Sequence, residues 1–332
     1  MPVARDASIV KIAVKPLISE PQHVPQLIEF DQKQPLSSVI TELCLNWNIS
    51  SCEDYSLKFT DSSFEGYVTE KNRNDVKNGC VLKLNFSATK TVSDILAIFK
   101  GGSLLEQTRC LQSLALLSSD PTFAAEFINK SGLDLLVKMI EDEKCSGEKL
   151  ESALKSFTEL MDHATVSWEI LSEIFIIRNI TFINPQNPMK SVIESSLLIL
   201  ENIVQNNSKS SIVEKSVTLE NLLQLLRQAS AVIQQNTIAL INALFIKADE
   251  NKRKIIATTF STKQYRSVIF ECVLNPNLGT EMTHQLSIFQ SLTLGMLEPR
   301  MNDRNVDQDA QEKINELRKI AFDGEFCILN AI

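Results

Sequence analysis

The sequence predicts a mainly α protein, an armadillo/HEAT-like helical solenoid preceded by a small ubiquitin-like β-grasp domain. Three observations carry that prediction. A three-helix apolar unit, clear over residues 111–140, returns every 43 residues, so that Leu111, Leu154, Leu197 and Leu240 fall in register. That interval lies in the range of about 40–47 residues for helical repeats whose stacked neighbours share one core. Residues 1–88 lack this period, and within them Tyr55, Leu57 and Phe59 alternate with polar neighbours, as a half-buried strand does. The chain has 332 residues, 44% hydrophobic and 22% charged. It is apolar enough to fold, and long enough for two regions or an extended array.

In chain order, residues 9–14 and 27–30 read as short strands, with Pro21 and Pro25 between them. Residues 36–47 place Leu36, Val39, Ile40, Leu43 and Trp47 on one helix face. Tyr55, Leu57 and Phe59 alternate with polar neighbours, and Asn78-Gly79 marks a turn before a strand over 80–86. Strand, strand, helix, strand, strand is the β-grasp order. Residues 87–91 read as a seam, and helical period takes over from Val92, giving domains at 1–88 and 92–323 and a short tail at 324–332. Within the array, Leu117, Leu160, Ile203 and Ile246 hold a second register. Phe127, Ile170, Val213 and Ile256 hold a third, and Ile140, Ile183, Leu226 and Ile269 a fourth. Asp120-Pro121 opens a helix, Asn184-Pro185 closes one, and a drifted fifth copy runs through Leu286, Phe289, Leu292 and Met296.

Chemistry is hard to place on this chain. The net charge of −8, with scattered Lys and Arg and few aromatics, disfavours nucleic acid. Seven cysteines without a CxxC pair predict reduced cytosolic thiols and no metal site. No signal peptide opens the chain, and no apolar run approaches the roughly 20 residues needed to span a bilayer. Asp162-His163 falls at a helix end, where capping accounts for it better than acid–base work. Asp303, Asn305, Asp307 and Asp309 alternate like a calcium loop, but Gln308 and Ile314 stand where glycine and a bidentate glutamate are required. Nucleotide-cradling and hydrolase motifs are missing, so the sequence predicts no catalytic residues, no cofactor and no enzyme. The positions left for partner binding are Leu45, Trp47 and Ile49 at the end of the first helix, Lys71, Arg73 and Lys77 in a charged loop, and Lys252 and Arg253 in the fourth repeat. Core packing for the first group and solvated charge for the others are the competing readings.

Several long segments resemble the N-terminal half of the ELMO (engulfment and cell motility) scaffold family. They are EFDQKQPLSSVITELCLNW at 29–47, YVTEKNRNDVKNGCVLKL at 67–84, DPTFAAEFINKSG at 120–132, FTELMDHATVSWE at 157–169, NTIALINALFIKA at 236–248 and KINELRKIAFD at 313–323. The resemblance implies a Ras-binding-type β-grasp followed by armadillo repeats in a non-catalytic adaptor. It also implies a GTP-bound Rho-family GTPase such as RhoG as partner, and an engulfment-receptor tail of the adhesion-GPCR class. A DOCK exchange factor is implied only alongside the family's C-terminal domains, which this chain does not match. Cytoplasmic residence with recruitment to the plasma membrane follows from the same resemblance. The alternative is a generic armadillo adaptor that grips peptides, unrelated to GTPases.

Overall fold

The computed structural model describes residues 8–17, 25–60, 66–228, 230–270, 279–298 and 308–323. It divides into two compact units, Met1–Asn221 and Leu222–Ile332.

The first unit opens with strands β1 (Ile9–Lys15) and β2 (Gln26–Asp31), helix α1 (Leu36–Asn46), and strands β3 (Tyr55–Phe59) and β4 (Val81–Phe86). The strand order is β2-β1-β4-β3. β1 runs antiparallel to β2 and parallel to β4, and β3 runs antiparallel to β4. A parallel central pair crossed by one helix is the arrangement the element order predicts. Alternation sends Ile12, Val14, Phe30, Leu57, Leu82 and Leu84 inward against Val39, Ile40 and Leu43 of α1. Gly79, at φ +86, takes the left-handed turn conformation that glycine adopts without penalty.

Helical structure begins at α2 (Ala88–Gly101), where the Ser87 hydroxyl accepts from the Lys90 amide at 3.2 Å. This cap starts the helix before Val92, the point at which apolar periodicity becomes legible. Next come α3 (Leu104–Leu117), α4 (Pro121–Asn129), α5 (Gly132–Glu141), α6 (Gly147–Asp162), α7 (Glu173–Phe182), α8 (Lys190–Asn206), α9 (Ser210–Ser216) and α10 (Leu219–Leu226). A capping box between Ser103 and Glu106 starts α3. Those hydrogen bonds, from the Ser103 hydroxyl and then its amide, hold the Glu106 carboxyl below its usual range. α6 packs between α3 and α8, and the Ser156 hydroxyl reaches back to the Leu111 carbonyl at 3.3 Å. The second unit contains most of α10 (from Leu222) together with α11 (Ala231–Lys247), α12 (Glu250–Phe260), α13 (Lys263–Val268), α14 (Thr280–Gly295) and α15 (Gln308–Asp323). There Asn242 donates to the Gln285 carbonyl at 2.9 Å, 43 residues along, linking two successive long helices.

In the leading register, Leu111, Leu154 and Leu197 of the first unit and Leu240 of the second are each fully enclosed. Among the other register positions, two are exposed. Ile246 lies half-exposed at the end of α11. Ile170 is 51% exposed, because the helix expected between α6 and α7 is a single 3-10 turn, Trp168–Ile170. Thr165 and Val166 are poor helix formers, and the Ser167 hydroxyl takes the Glu169 amide that a longer helix would use. Leu171 is buried in place of Ile170.

Candidate partner-binding surfaces

The eight residues singled out by sequence separate into four settings. Leu45 projects from the last turn of α1 and is 70% exposed. Trp47, two residues on, is 4% exposed and belongs to the β-grasp core, so it is no surface anchor. The apolar face of α1 continues through it into the sheet. Ile49 packs against the same core, its amide donating to the Cys44 carbonyl at 2.8 Å.

The charged loop does structural work at the other end of α1. Pro35 stands at the helix N-cap and offers no side-chain cap. Glu70 supplies one from a distance, its Oε1 accepting the Leu36 amide at 2.9 Å. Arg73 holds Glu70 in place through Nη1–Oε2 at 2.5 Å and donates to the Gln34 carbonyl at 3.2 Å. Arg73 is thereby a bracket, whereas Lys71 and Lys77 are exposed. α1 separates this loop from Leu45 by about 15 Å, at ~1.5 Å per residue.

Lys252 and Arg253 belong to α12 of the second unit. Arg253 donates through Nε to the Phe245 carbonyl at 3.2 Å and through Nη2 to that of Ile246 at 2.6 Å, satisfying the carbonyl end of α11. Lys252 lies 3.8 Å from Asp249, and Lys254 pairs with Glu250 at 2.7 Å. The array residue His163 places Nε2 2.6 Å from the Ser118 carbonyl and ends α6, the structural role its position predicts. The calcium-like residues up to Asp307 lie outside the described residues, as does the tail 324–332. Asp309 pairs with Lys313 at 2.8 Å.

β2 forms one edge of the β-grasp sheet. A shallow groove of about 490 Å³ runs between β2 and α1, lined by Leu27, Ile28, Val39, Glu42, Leu43 and Asn46 among others. Leu27 is 86% exposed and, paired with Ala13 between the inward Ile12 and Val14, turns its side chain to the sheet face opposite α1. Asn46 donates to Gln26 at 3.3 Å, tying the helix end to the strand. An exposed edge strand presents unpaired backbone groups that another chain's strand can join.

A junction that sequence reading missed joins the β-grasp to the first helices. Asp120 caps α4, its Oδ1 accepting the Thr122 and Phe123 amides at 2.7 and 3.1 Å. Its Oδ2 accepts the Tyr67 amide of the β-grasp at 2.8 Å, in a buried setting. Burial of the Tyr67 phenol pushes its pKa up, and the phenol oxygen donates to the Phe86 carbonyl at 3.2 Å. Among the helices, Lys130 at the end of α4 donates to the Thr89 carbonyl of α2 at 3.2 Å and to Ser93 of α2 at 2.9 Å. The only sequence signal was Asp120-Pro121, which announces a cap and is silent about its second partner.

Comparison with known proteins places these features in a family. Residues 8–87 match the ELMO protein N-terminal Ras-binding domain, and residues 122–274 match the ELMO armadillo-like helical domain. The chain belongs to the ELMO family. It is 38% identical over 338 residues to engulfment and cell motility protein 1 of Homo sapiens, covering 96% of this chain and 46% of that protein. It is 38% identical over 341 residues to engulfment and cell motility protein 2 of Bos taurus, covering 98% and 46%. This ELMO chain therefore spans about half the length of the curated relatives it matches. Among solved structures, a designed armadillo repeat protein in complex with the peptide (KR)4 aligns at 13% identity and TM-score 0.41, over 61% of this chain and 81% of its own. No helix among the described residues is long and apolar enough to cross a membrane, and those residues form no cluster of His, Cys, Asp and Glu suited to a metal.

Proposed function

We propose that this ELMO chain is a non-catalytic adaptor whose β-grasp takes a Rho-family GTPase of the RhoG type in its GTP form. The GTPase adds its exposed strand to β2, and the alternating side chains of that strand meet Leu45 on the α1 side and Leu27 on the opposite face. The observation that carries this reading is an open edge strand and groove on a domain matched as Ras-binding. GTP selectivity has a physical basis, since GTPase switch segments are ordered by γ-phosphate contacts and released on hydrolysis. Lys71 and Lys77 give the approaching partner a basic rim, which acts mainly on association rate. Trp47, Arg73 and Arg253 contribute through the fold. With the family's C-terminal domains present, the same half serves DOCK-mediated Rac activation in engulfment, migration and actin remodelling, with recruitment to the plasma membrane through the GTPase and an adhesion-GPCR-type receptor tail.

The test is a pair of exposed substitutions. Leu27→Asp and Leu45→Asp leave the core intact and are expected to weaken binding of GTP-analogue-loaded RhoG by about tenfold or more each, a loss of roughly 1.4 kcal/mol or more. Lys252→Ala is expected to change nothing. Undiminished binding by both aspartate variants rejects the β2 surface.

A peptide-gripping reading is favoured by one feature. A cleft of about 380 Å³ between α6 and α8 brings Trp168 beside Asn202 and Asn206, one turn apart, and Asp162. Those residues offer a ring and hydrogen-bonding amides to an extended or helical segment. Loss of receptor-tail binding in Asn202→Ala, with RhoG binding retained, would assign the tail to this cleft.

A further inference from the structure

The outer face of the β-grasp sheet, opposite α1, carries two parallel rows of unlike chemistry. In one, Lys15 of β1 is paired in register with Lys83 of β4, which is paired with Lys58 of β3. In the other, Leu27 of β2 is paired with Ala13 of β1 and Ala13 with Val81 of β4. Ala13 and Lys15 are alternate residues of β1, so the rows lie about 7 Å apart, and neighbours within a row about 4.8 Å apart.

Like charges directly opposite one another destabilise a sheet. Elsewhere on this face the sheet compensates, with Lys11 set 3.8 Å from Glu29. The Lys58 ammonium rests over the Tyr67 ring at 3.9 Å. Among the described residues, neither Lys15 nor Lys83 has a carboxylate at ion-pair distance. In the apolar row, Leu27 is 86% and Val81 37% exposed. The face thus carries uncompensated positive charge beside uncovered aliphatic surface.

We infer that this face docks an acidic amphipathic helix lying across the strands. Its apolar stripe covers Leu27, Ala13 and Val81, and a flanking row of Glu or Asp answers Lys15 and Lys83. The spacings agree, because residues three and four apart on a helix are ~5–6 Å apart, close to the strand separation. A membrane would also answer positive charge, but it leaves the Glu29 and Asp31 side of the same face opposed to anionic headgroups. The site shares Leu27 with the proposed GTPase surface, but the variants below change Lys15 and Lys83 and leave β2 untouched, so failure here and failure of the GTPase reading are distinguishable.

The test uses the full chain and a synthetic helical peptide of about 18 residues, long enough for measurable helicity. One stripe of the peptide carries Leu and Ala and the adjoining stripe Glu, and a control peptide has Lys for each Glu. Fluorescence anisotropy is expected to show salt-sensitive binding of the acidic peptide and none of the control. Lys83→Glu, which turns the lysine row into an alternating one, is expected to weaken peptide binding about tenfold while raising Tm. Lys15→Glu is expected to weaken binding similarly. Three results overturn the inference: no binding of the acidic peptide, undiminished binding by both variants, or lysine-dependent sedimentation with phosphatidylserine vesicles by a chain that ignores the peptide.

Discussion

Asp120 carries two roles in the first unit. One carboxylate oxygen caps α4 and the other accepts the Tyr67 amide, so the two roles are separable by substitution. Asp120→Asn keeps a good N-cap but presents an amide NH₂ in place of one oxygen. It is expected to cost about 1–3 kcal/mol through the buried Tyr67 N–H left without an acceptor. Asp120→Ala loses the cap as well and is expected to cost about 2–4 kcal/mol in urea unfolding. Faster amide exchange at Tyr67 than at Thr122 in the Asn variant would separate the two roles, and an unchanged Tyr67 amide would refute the junction. The cysteines give a second prediction at this scale. Burial pushes the Cys44 thiol up to about 11, with Cys52 and Glu53 adding to it, and burial alone takes Cys110 to about 11. The folded state holds these protons more tightly than the unfolded chain, where the ordinary value is 9.0. That stabilisation is complete below pH 9.0 and is lost as pH rises from 9.0 through about 11. At pH 8 a disulfide reagent is therefore expected to modify the half-buried Cys52 and Cys80 in the native protein, and Cys44 and Cys110 only after unfolding. Prompt native-state reaction of Cys44 or Cys110 would contradict the burial assignment.

At the scale of elements, the second repeat shows how far periodicity reads. The register that made Leu111, Leu154, Leu197 and Leu240 legible works because burial leaves an apolar residue at each rung. The same arithmetic selects Ile170, which the 3-10 turn leaves facing outward, while Leu171 is enclosed. The turn is held by contacts that no spacing rule records. Asn207 donates to the Trp168 carbonyl at 2.7 Å, Lys209 to that of Leu171 at 2.9 Å, and the Trp168 ring stands edge-on to Phe157 at 5.9 Å. Leu171→Ala is expected to cost about 2–5 kcal/mol as a core truncation, and Ile170→Ala less than about 1 kcal/mol. The reverse order in denaturant melts would restore the register that sequence suggested. α1 teaches a related lesson. Its face and length were legible, but Arg73 and Trp47 looked available because residue type reports charge and size, not the tertiary partners Glu70 and the sheet core.

At the scale of the molecule, the two textures in the sequence correspond to a four-stranded β-grasp and to armadillo-like helices. Strand and helix periods are local properties, so their order along the chain was readable. The surfaces were not, because each is assembled across elements: the groove from β2 and α1, the lysine row from three strands, the junction from Tyr67 and Asp120. Leu45 alone among the apolar residues singled out by sequence lies at the exposed edge of α1. The proposed purpose of this architecture is to bind a GTPase while it is loaded with GTP. The most direct measurement is calorimetric titration of this chain with RhoG carrying either GDP or a non-hydrolysable GTP analogue. Binding at least about tenfold tighter to the GTP-analogue form, abolished by Leu27→Asp combined with Leu45→Asp, is the predicted result. Equal affinity for the two nucleotide states would contradict it.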